Sequence, residues 1–130
     1  MLSTLPLYLA YVATSVGLMV VFVAIYMHIT PYRELALIRA GNRTAAVSLG
    51  GVLIGFGLTL ASTAAHSVGI LDLALWGAIA LVCQVAVYFV ATFLLKDLKD
   101  GIESDRLGFG LLLAAMSITM GLINAGALTY

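Results

Sequence analysis

The sequence predicts an all-α integral membrane protein that crosses the bilayer four times. Composition is one reason: 63% of the 130 residues are hydrophobic and 9% are charged, where soluble domains have about 45–50% and about 25%. A second is the presence of four apolar stretches, each near the roughly 20 residues that a hydrocarbon core of about 30 Å requires. The third is that every Lys and Arg lies between those stretches. A chain of this length is expected to form one domain, 1–130.

The predicted spans cover residues 5–29, 44–65, 73–95 and 107–128. Backbone groups inside lipid must be hydrogen-bonded within their own segment, so each span is expected to be a helix. Thr30-Pro31 is expected to end the first helix, because proline disfavours helical geometry in the residue before it. The connection 66–72 is short, which predicts a tight hairpin between the second and third spans.

The basic residues define the predicted orientation. They lie only in the first and third connections, which hold Arg33, Arg39, Arg43, Lys96, Lys99 and Arg106. Short loops rich in Lys and Arg remain in the cytoplasm. Both chain ends and the 66–72 turn are therefore expected to face outward (N-out/C-out). The net charge of zero gives no basic surplus for a nucleic-acid partner.

The first charged connection is expected to contain a short helix. Segment 31–40 is interpreted as an amphipathic helix on the inner membrane surface, with Leu35 and Ile38 on its membrane face. Glu34 is expected to point to water together with the neighbouring arginines. An ordinary loop is the alternative.

The third connection is expected to be a solvated helical extension of the third span. Lys96 and Asp100 lie four residues apart, as do Lys99 and Glu103, and this spacing supports ion pairs along a helix. A docking surface for a partner is the alternative interpretation.

The two halves of the chain, about 1–66 and 67–130, show a faint internal repeat. A shift of 64 residues places Gly57 and Leu58 on Gly121 and Leu122, among six such identities. Each half has a span, a charged connection and a span rich in small residues. Because both halves enter the membrane from the same side, the interpretation is a tandem pair of two-helix units in parallel orientation.

Small residues are concentrated in the second and fourth spans. Gly51, Gly55, Gly57 and Gly121 are the candidates for close helix packing, because small side chains let helix backbones approach in lipid. These two spans are expected to pack centrally, with the first and third outside. A homo-oligomer is the favoured assembly.

A few polar residues fall inside or beside the spans: His66, Asp72, Gln84, Ser117 and Asn124. Such residues are costly in a membrane and suggest function. One interpretation is an outward-facing polar site, with Asp72 as the charge and His66 as its titratable neighbour. The favoured alternative is structural: Gln84 bonds Ser117, Asn124 bonds a facing carbonyl, and Asp72 caps the third span.

Neither a catalytic site nor a metal site is indicated. His66 and Asp72 supply too few ligands for a metal, and the sequence has no nucleophile–base pair and no glycine-rich phosphate loop. The single cysteine, Cys83, excludes a disulfide within the chain. The expectation is a protein without enzyme activity, cofactor or metal. Trp76 and Tyr130 are assigned to an outer aromatic belt and Tyr32 to the inner one.

The ordered set of polar and small residues resembles domain-of-unknown-function family 350, the YjfL-like bacterial inner-membrane proteins. The residues on which the resemblance rests are Ile29-Thr30-Pro31, Glu34, Leu37-Ile38, Gly41-Asn42, Ala45-Ala46, Gly55-Phe56, Ser67, Asp72, Trp76-Gly77, Ala80, Gln84, Gly121, Asn124-Ala125 and Thr129. One departure is Thr59, where relatives often have proline. The resemblance implies a bacterial inner-membrane protein with four spans and no established reaction. Some members of the family are encoded beside envelope-stress proteins, so the resemblance also associates the family with a membrane-stress role.

Two functions are expected from these observations. The first is a non-enzymatic membrane component that docks partners or supports an envelope or membrane-stress response. The alternative is a small oligomeric ion channel or transporter subunit. A membrane enzyme is disfavoured because the residues of an active site are missing. The expected partners are the lipid bilayer, a second copy of the chain, and a cytoplasmic or membrane protein.

Overall fold

The computed structural model describes residues 4–128, and this part of the chain is helical with no strand. Four of its six helices are long, and the second and the fifth are short. Their order is α1 (Leu5–Ile29), α2 (Glu34–Arg39), α3 (Arg43–His66), α4 (Ile70–Leu94), α5 (Leu98–Glu103) and α6 (Leu107–Ala127). The long helices are apolar and long enough to cross a membrane. The four predicted spans are confirmed, with boundaries within three residues of those expected.

Residues 30–44 and 94–107 meet at one end of the bundle, which we call the charged end. The opposite end carries the short turn between α3 and α4. α1 stops at the charged end because Thr30, which precedes Pro31, is extended (φ −65°, ψ 138°). The Thr30 N–H still donates to the Tyr26 carbonyl at 3.0 Å.

The short helix α2 differs from its prediction at its start. It begins at Glu34, with Arg33 in the N-cap position, and not at Pro31. Its end follows a common stop geometry: Gly41 has a φ of +92° and the Asn42 N–H donates to the Leu37 carbonyl at 2.9 Å. Asn42 then caps α3, because its side-chain oxygen accepts from the Ala45 N–H at 2.8 Å.

The third connection is not a continuous extension of the third span. α4 ends at Leu94, and α5 begins separately at Leu98. The expected pairs of Lys96 with Asp100 and Lys99 with Glu103 do not form. The one salt bridge within residues 4–128 instead joins Arg106 Nη1 to Asp97 Oδ2 at 3.9 Å, between two exposed side chains.

The core of the bundle is the contact between α3 and α6. Gly51 packs against Ala114, Gly55 against the Ser117 backbone, and Gly121 against the Gly55 backbone. A methyl group at any of these glycines would overlap the facing helix, so the backbones touch. Gly57 lies elsewhere: its neighbour is the side chain of Met19, on α1.

α4 packs beside this pair and also contacts α1, which lies at the edge with only Phe22 and Tyr26 buried. Helices in the two halves start at matching positions, with α2 at Glu34 and α5 at Leu98. Positive φ angles follow both short helices, at Gly41 and at Asp105 (φ +58°). The tandem repeat and the N-out/C-out orientation stay predictions.

Candidate functional site at the charged end

The polar residues expected at the membrane centre form a helix-to-helix contact. Gln84 is 1% exposed, and its Nε2 donates to the Ser117 carbonyl at 3.1 Å. This contact joins α4 to α6, which is the structural role proposed for the pair. The Gln84 Oε1 atom is buried and has no hydrogen-bond partner.

Asn124 does not make the contact expected of it. Its Nδ2 group is buried without a hydrogen-bond partner, so the predicted bond to a facing carbonyl is wrong. It lines a cavity of about 190 Å³ together with Trp76 and Ala80.

Tyr32, which is predicted to lie in the inner aromatic belt, is buried in the protein and does not face lipid. Thr129 and Tyr130 lie outside the described residues.

His66 and Asp72 lie on either side of the turn at the opposite end, and no hydrogen bond or salt bridge in the described chain joins them. His66 Nδ1 lies 2.8 Å from the Ser62 carbonyl, one helical turn earlier. Asp72 Oδ2 accepts from the Val68 N–H at 3.1 Å. Asp72 is the third residue of α4, and Gly69 occupies the N-cap position, so the predicted cap is misplaced. Each residue therefore bonds the backbone beside it.

The basic residues of the two connections are all exposed: Arg33, Arg39, Arg43, Lys96, Lys99 and Arg106. Within residues 4–128 no group of three or more His, Cys, Asp or Glu side chains could hold a metal ion.

The main difference from the sequence prediction is Glu34, which is 2% exposed and points into the protein. Arg33 is extended (φ −94°, ψ 94°), and α2 begins directly after it. Tyr32 and Glu34 are buried, whereas Arg33 and Leu35 are exposed. Residues two apart in an extended segment share a side, so the acid follows Tyr32 inward.

One hydroxyl bonds the buried acid. Thr30 Oγ1 lies 2.8 Å from Glu34 Oε1 and can donate to it. The same hydroxyl lies 3.3 Å from the carbonyls of Met27 and Tyr32. Glu34 Oε2 is buried and has no hydrogen-bond partner. No Lys, Arg or His in the described chain forms a salt bridge with Glu34.

Three buried tyrosines surround this acid. Tyr26, Tyr32 and Tyr88 are each at most 3% exposed. The rings of Tyr26 and Tyr88 meet edge to face, with centroids 5.5 Å apart. The Tyr32 hydroxyl interacts electrostatically with both of them and with Glu34. The Tyr26 and Tyr32 hydroxyls form no well-aligned hydrogen bond, although the Tyr32 hydroxyl lies close enough to those of Tyr26 and Tyr88 to interact with them.

We call this set of five residues the glutamate–tyrosine cluster: Tyr26, Thr30, Tyr32, Glu34 and Tyr88. Burial raises the pKa of the Glu34 carboxyl above its ordinary value, although the hydrogen bonds from Thr30 and from the Glu34 backbone oppose the rise. Burial also raises the pKa of the Tyr32 hydroxyl well above its ordinary range, and its charged and phenolic neighbours raise it further. The cluster therefore favours uncharged side chains.

A second group of contacts joins the two connections. Asp105 Oδ1 accepts from the Thr44 N–H at 2.9 Å and from the Thr44 hydroxyl at 2.7 Å. Asn42 Nδ2 donates to the Ile102 carbonyl at 2.7 Å. The hydrogen bonds from Thr44 hold the pKa of Asp105 below its ordinary value. The two connections thus form one hydrogen-bonded unit at the charged end.

The sequence contains a weak signal for the cluster. Glu34 stands four residues after Thr30 and beside Tyr32, and Tyr88 follows Gln84 by four residues on the buried side of α4. A polar or aromatic residue repeated on the buried side of a helix indicates an interior polar contact. The sequence could not show that α2 begins late enough to turn Glu34 inward.

Four apolar helices with short connections and one charged end define a small multi-pass helical membrane protein. The model of the family described as Domain of Unknown Function (DUF350) matches residues 1–128, and the chain belongs to this family. The resemblance seen in the sequence is confirmed.

Two relatives cover almost the whole chain. UPF0719 inner membrane protein YjfL of Escherichia coli (strain K12) is 31% identical over 129 residues, 99% of this chain and 98% of the relative. UPF0719 transmembrane protein YshE of Bacillus subtilis (strain 168) is 24% identical over 121 residues, 92% of this chain and 90% of the relative. No solved structure matches the chain. The protein is a multi-pass protein of the bacterial inner membrane, embedded in the lipid bilayer.

Proposed function

We propose that this protein is a non-enzymatic membrane component that binds a protein partner at its charged end. The observation that supports the proposal is the placement of charge. Eleven of the twelve charged residues belong to the charged end, and Asp72 alone lies at the opposite end. Ten of those eleven are exposed, and Glu34 is the exception.

The exposed charges stand on an ordered surface. The bonds from Asn42 to Ile102 and from Thr44 to Asp105 tie the two connections together. These hydrogen bonds order the two connections before a partner binds, so less conformational entropy is lost on binding. The surface carries six basic and four acidic exposed residues. It would therefore bind selectively a partner whose acidic and basic residues face residues of the opposite charge.

Orientation is part of the proposal. Short connections rich in Lys and Arg remain in the cytoplasm, so the charged end is the side that a cytoplasmic partner meets. Support of an envelope or membrane-stress response is the biological role that the family resemblance suggests. The partner in this proposal is a cytoplasmic or membrane protein, and the function requires no chemical step by this chain.

The test is site-specific photo-crosslinking in intact bacteria. A photoreactive residue replaces exposed Lys99 at the charged end or, as the matched control, Leu71 at the opposite end, which is 84% exposed. We expect a discrete crosslinked product from position 99, weakened when Arg39→Glu is added, and none of the same size from position 71. Equal products from both positions, or none from position 99, would contradict the proposal.

A second candidate function is a small oligomeric ion channel or transporter subunit. Its support is a series of buried polar atoms without partners at successive depths: Glu34 Oε2, Gln84 Oε1 and Asn124 Nδ2. Phe22 and Phe56 fill the interior of one copy, with ring centroids 4.4 Å apart. Conduction would therefore require an assembly of several copies.

Ion flux into liposomes under an applied voltage tests this second function. Flux that Gln84→Leu alters while Asp72→Asn leaves it intact would favour a channel or transporter that uses the interior polar atoms. Well-folded, correctly inserted protein that shows no flux would favour the docking component.

A further inference from the structure

We propose that Glu34 is a proton-binding site, at which the carboxyl group carries a proton on Oε2 in the native protein at neutral pH. The proton points toward the hydroxyls of the surrounding tyrosines, and Oε1 continues to accept from Thr30. Protonation of this one buried group requires neither a bound partner nor conduction.

Charge and burial are the first support. Glu34 is 2% exposed, yet no basic side chain in the described chain is paired with it. A carboxylate that leaves water without a compensating cation is strongly disfavoured, and the usual outcome is that the group becomes neutral. Ionisable residues held inside membrane proteins in this way mark proton-binding and transport sites.

The groups that face Glu34 are neutral. α1 contributes Tyr26, the segment before α2 contributes Tyr32, and α4 contributes Tyr88. α3, which packs on α2, has Arg43 in its first turn, and that side chain is exposed. Phenols donate hydrogen bonds but carry no positive charge, so they do not neutralise a carboxylate.

The pattern of unpartnered atoms is the second support. Glu34 Oε2 is buried without a hydrogen-bond partner, and the hydroxyls of Tyr26 and Tyr32, which lie close to one another, form no well-aligned hydrogen bond either. A protonated carboxyl adds one O–H donor to this set, and a phenol oxygen can accept it. A proton on Oε2 thus lets this unpartnered carboxyl oxygen donate a hydrogen bond to a phenol oxygen. The direction in which burial shifts the pKa of Glu34 agrees with this geometry.

Glu34 exchanges its proton with water at the charged end. A hydronium ion in water at the charged end gives its proton to Glu34 Oε2, an O–H bond forms, and water is left behind. The carboxylate charge disappears in the same step. On release the proton returns to water or hydroxide, and an unpaired anion remains beside Tyr32. The exposed neighbours Arg33 and Leu35 put water and the membrane surface within one residue of the site.

Infrared difference spectroscopy of the full chain in liposomes tests the inference directly. A protonated carboxyl has a carbonyl band that the carboxylate lacks. We expect a band that persists at neutral pH and disappears with a midpoint well above the ordinary glutamate pKa of about 4.3. Glu34→Gln should remove the band. Glu103→Gln, at an exposed acid on the same end, and Asp72→Asn should leave it unchanged.

Thr30→Val gives a second, independent readout that does not depend on the folding of Glu34→Gln. The Thr30 hydroxyl stabilises the ionised carboxylate, so its removal should raise the midpoint of the same band. This shift would assign the band to Glu34 in otherwise native protein.

Two results would overturn the inference. The first is the absence of any neutral-pH acid carbonyl band that responds to Glu34→Gln or Thr30→Val. The second is a band that appears only after Na⁺ and K⁺ are removed, because the site would then hold a metal cation in place of the proton.

Discussion

The two charged connections have similar backbones and different interiors. Each contains a six-residue helix followed by a residue with positive φ, Gly41 in the first and Asp105 in the second. The shift of 64 residues that aligns the halves places Glu34 on Leu98, and both side chains are 2% exposed. The first connection thus buries an acid at the position where the second buries leucine.

The neighbours of the two positions differ in the same way. Glu34 receives a hydrogen bond from Thr30 and lies among three tyrosines. Leu98 lies in the apolar core with Ile102, and the position matching Tyr32 is the exposed Lys96. Full burial of a leucine contributes about 1.5–3 kcal/mol to folding, whereas burial of an unpaired acid opposes it. Stability alone therefore favours leucine at both positions.

The largest expected effect comes from copying the acid into the second connection. Leu98→Glu buries a carboxyl in the apolar core, and the positions matching Thr30 and Tyr32 are Leu94 and Lys96. We therefore expect a loss of about 3–5 kcal/mol in the free energy of unfolding. Unfolding in a series of detergent mixtures measures it. Leu98→Met is the volume-matched control, with an expected loss below about 1.5 kcal/mol. Similar losses in both variants would show that packing alone decides the position.

The reverse exchange should stabilise the protein. Glu34→Leu removes the buried acid and adds apolar contacts, so the free energy of unfolding should rise, by at most the roughly 1–4 kcal/mol gained when apolar side chains replace a buried ion pair. The same unfolding series measures this gain. A loss of stability would mean that the cluster is structurally favourable and would remove the contrast between the connections.

A moderate effect is expected at the cap that only the first connection has. Asn42 caps α3 through Ala45, whereas Arg106 makes no side-chain cap at the start of α6. Asn42→Ala should cost about 0.5–2 kcal/mol from the lost cap alone. Asn42→Asp keeps the acceptor but loses the donor to Ile102, so it separates the cap from the tie between the connections. Equal stability of the alanine variant and the native protein would contradict the capping role.

The smallest effect is expected at the surface salt bridge of the second connection. Arg106 and Asp97 lie 3.9 Å apart, and both side chains are more than half exposed. Exposed pairs contribute about 0–1 kcal/mol, so Arg106→Ala should leave the free energy of unfolding nearly unchanged at physiological salt. A loss above about 2 kcal/mol would show that this pair supports the charged end more than its geometry suggests.

The spans were predictable because a membrane helix is specified by length and apolar composition. The close approach of α3 and α6 could also be predicted, because Gly51, Gly55 and Gly121 lie in these two helices. The cluster was not predictable, because it depends on where α2 begins and on Tyr88, which is far away in the sequence. Any charged residue in a short connection suggests a solvated position, and Glu34 is the exception that only tertiary packing reveals.

At the opposite end, too, a shift of a few residues changes which contacts form. The sequence predicts that Asp72 caps α4, but the helix begins at Ile70, which places the carboxylate in the first turn. The hydroxyl of Ser62 bonds the Ala125 carbonyl at 2.8 Å, next to the position where Asn124 was expected to bond. A helix rotates by about 100° per residue, so a shift of one or two positions changes which side chain reaches a neighbour.

The most direct test of the buried acid is the pH dependence of unfolding for the native protein and Glu34→Gln. The raised pKa of Glu34 means that the folded state binds more protons than the unfolded state above the ordinary glutamate pKa. The free energy of unfolding should therefore fall as pH rises, from the ordinary pKa up to the raised one. Glu34→Gln should lack this decline, and Glu103→Gln should retain it. Identical profiles for the native protein and Glu34→Gln would contradict the account.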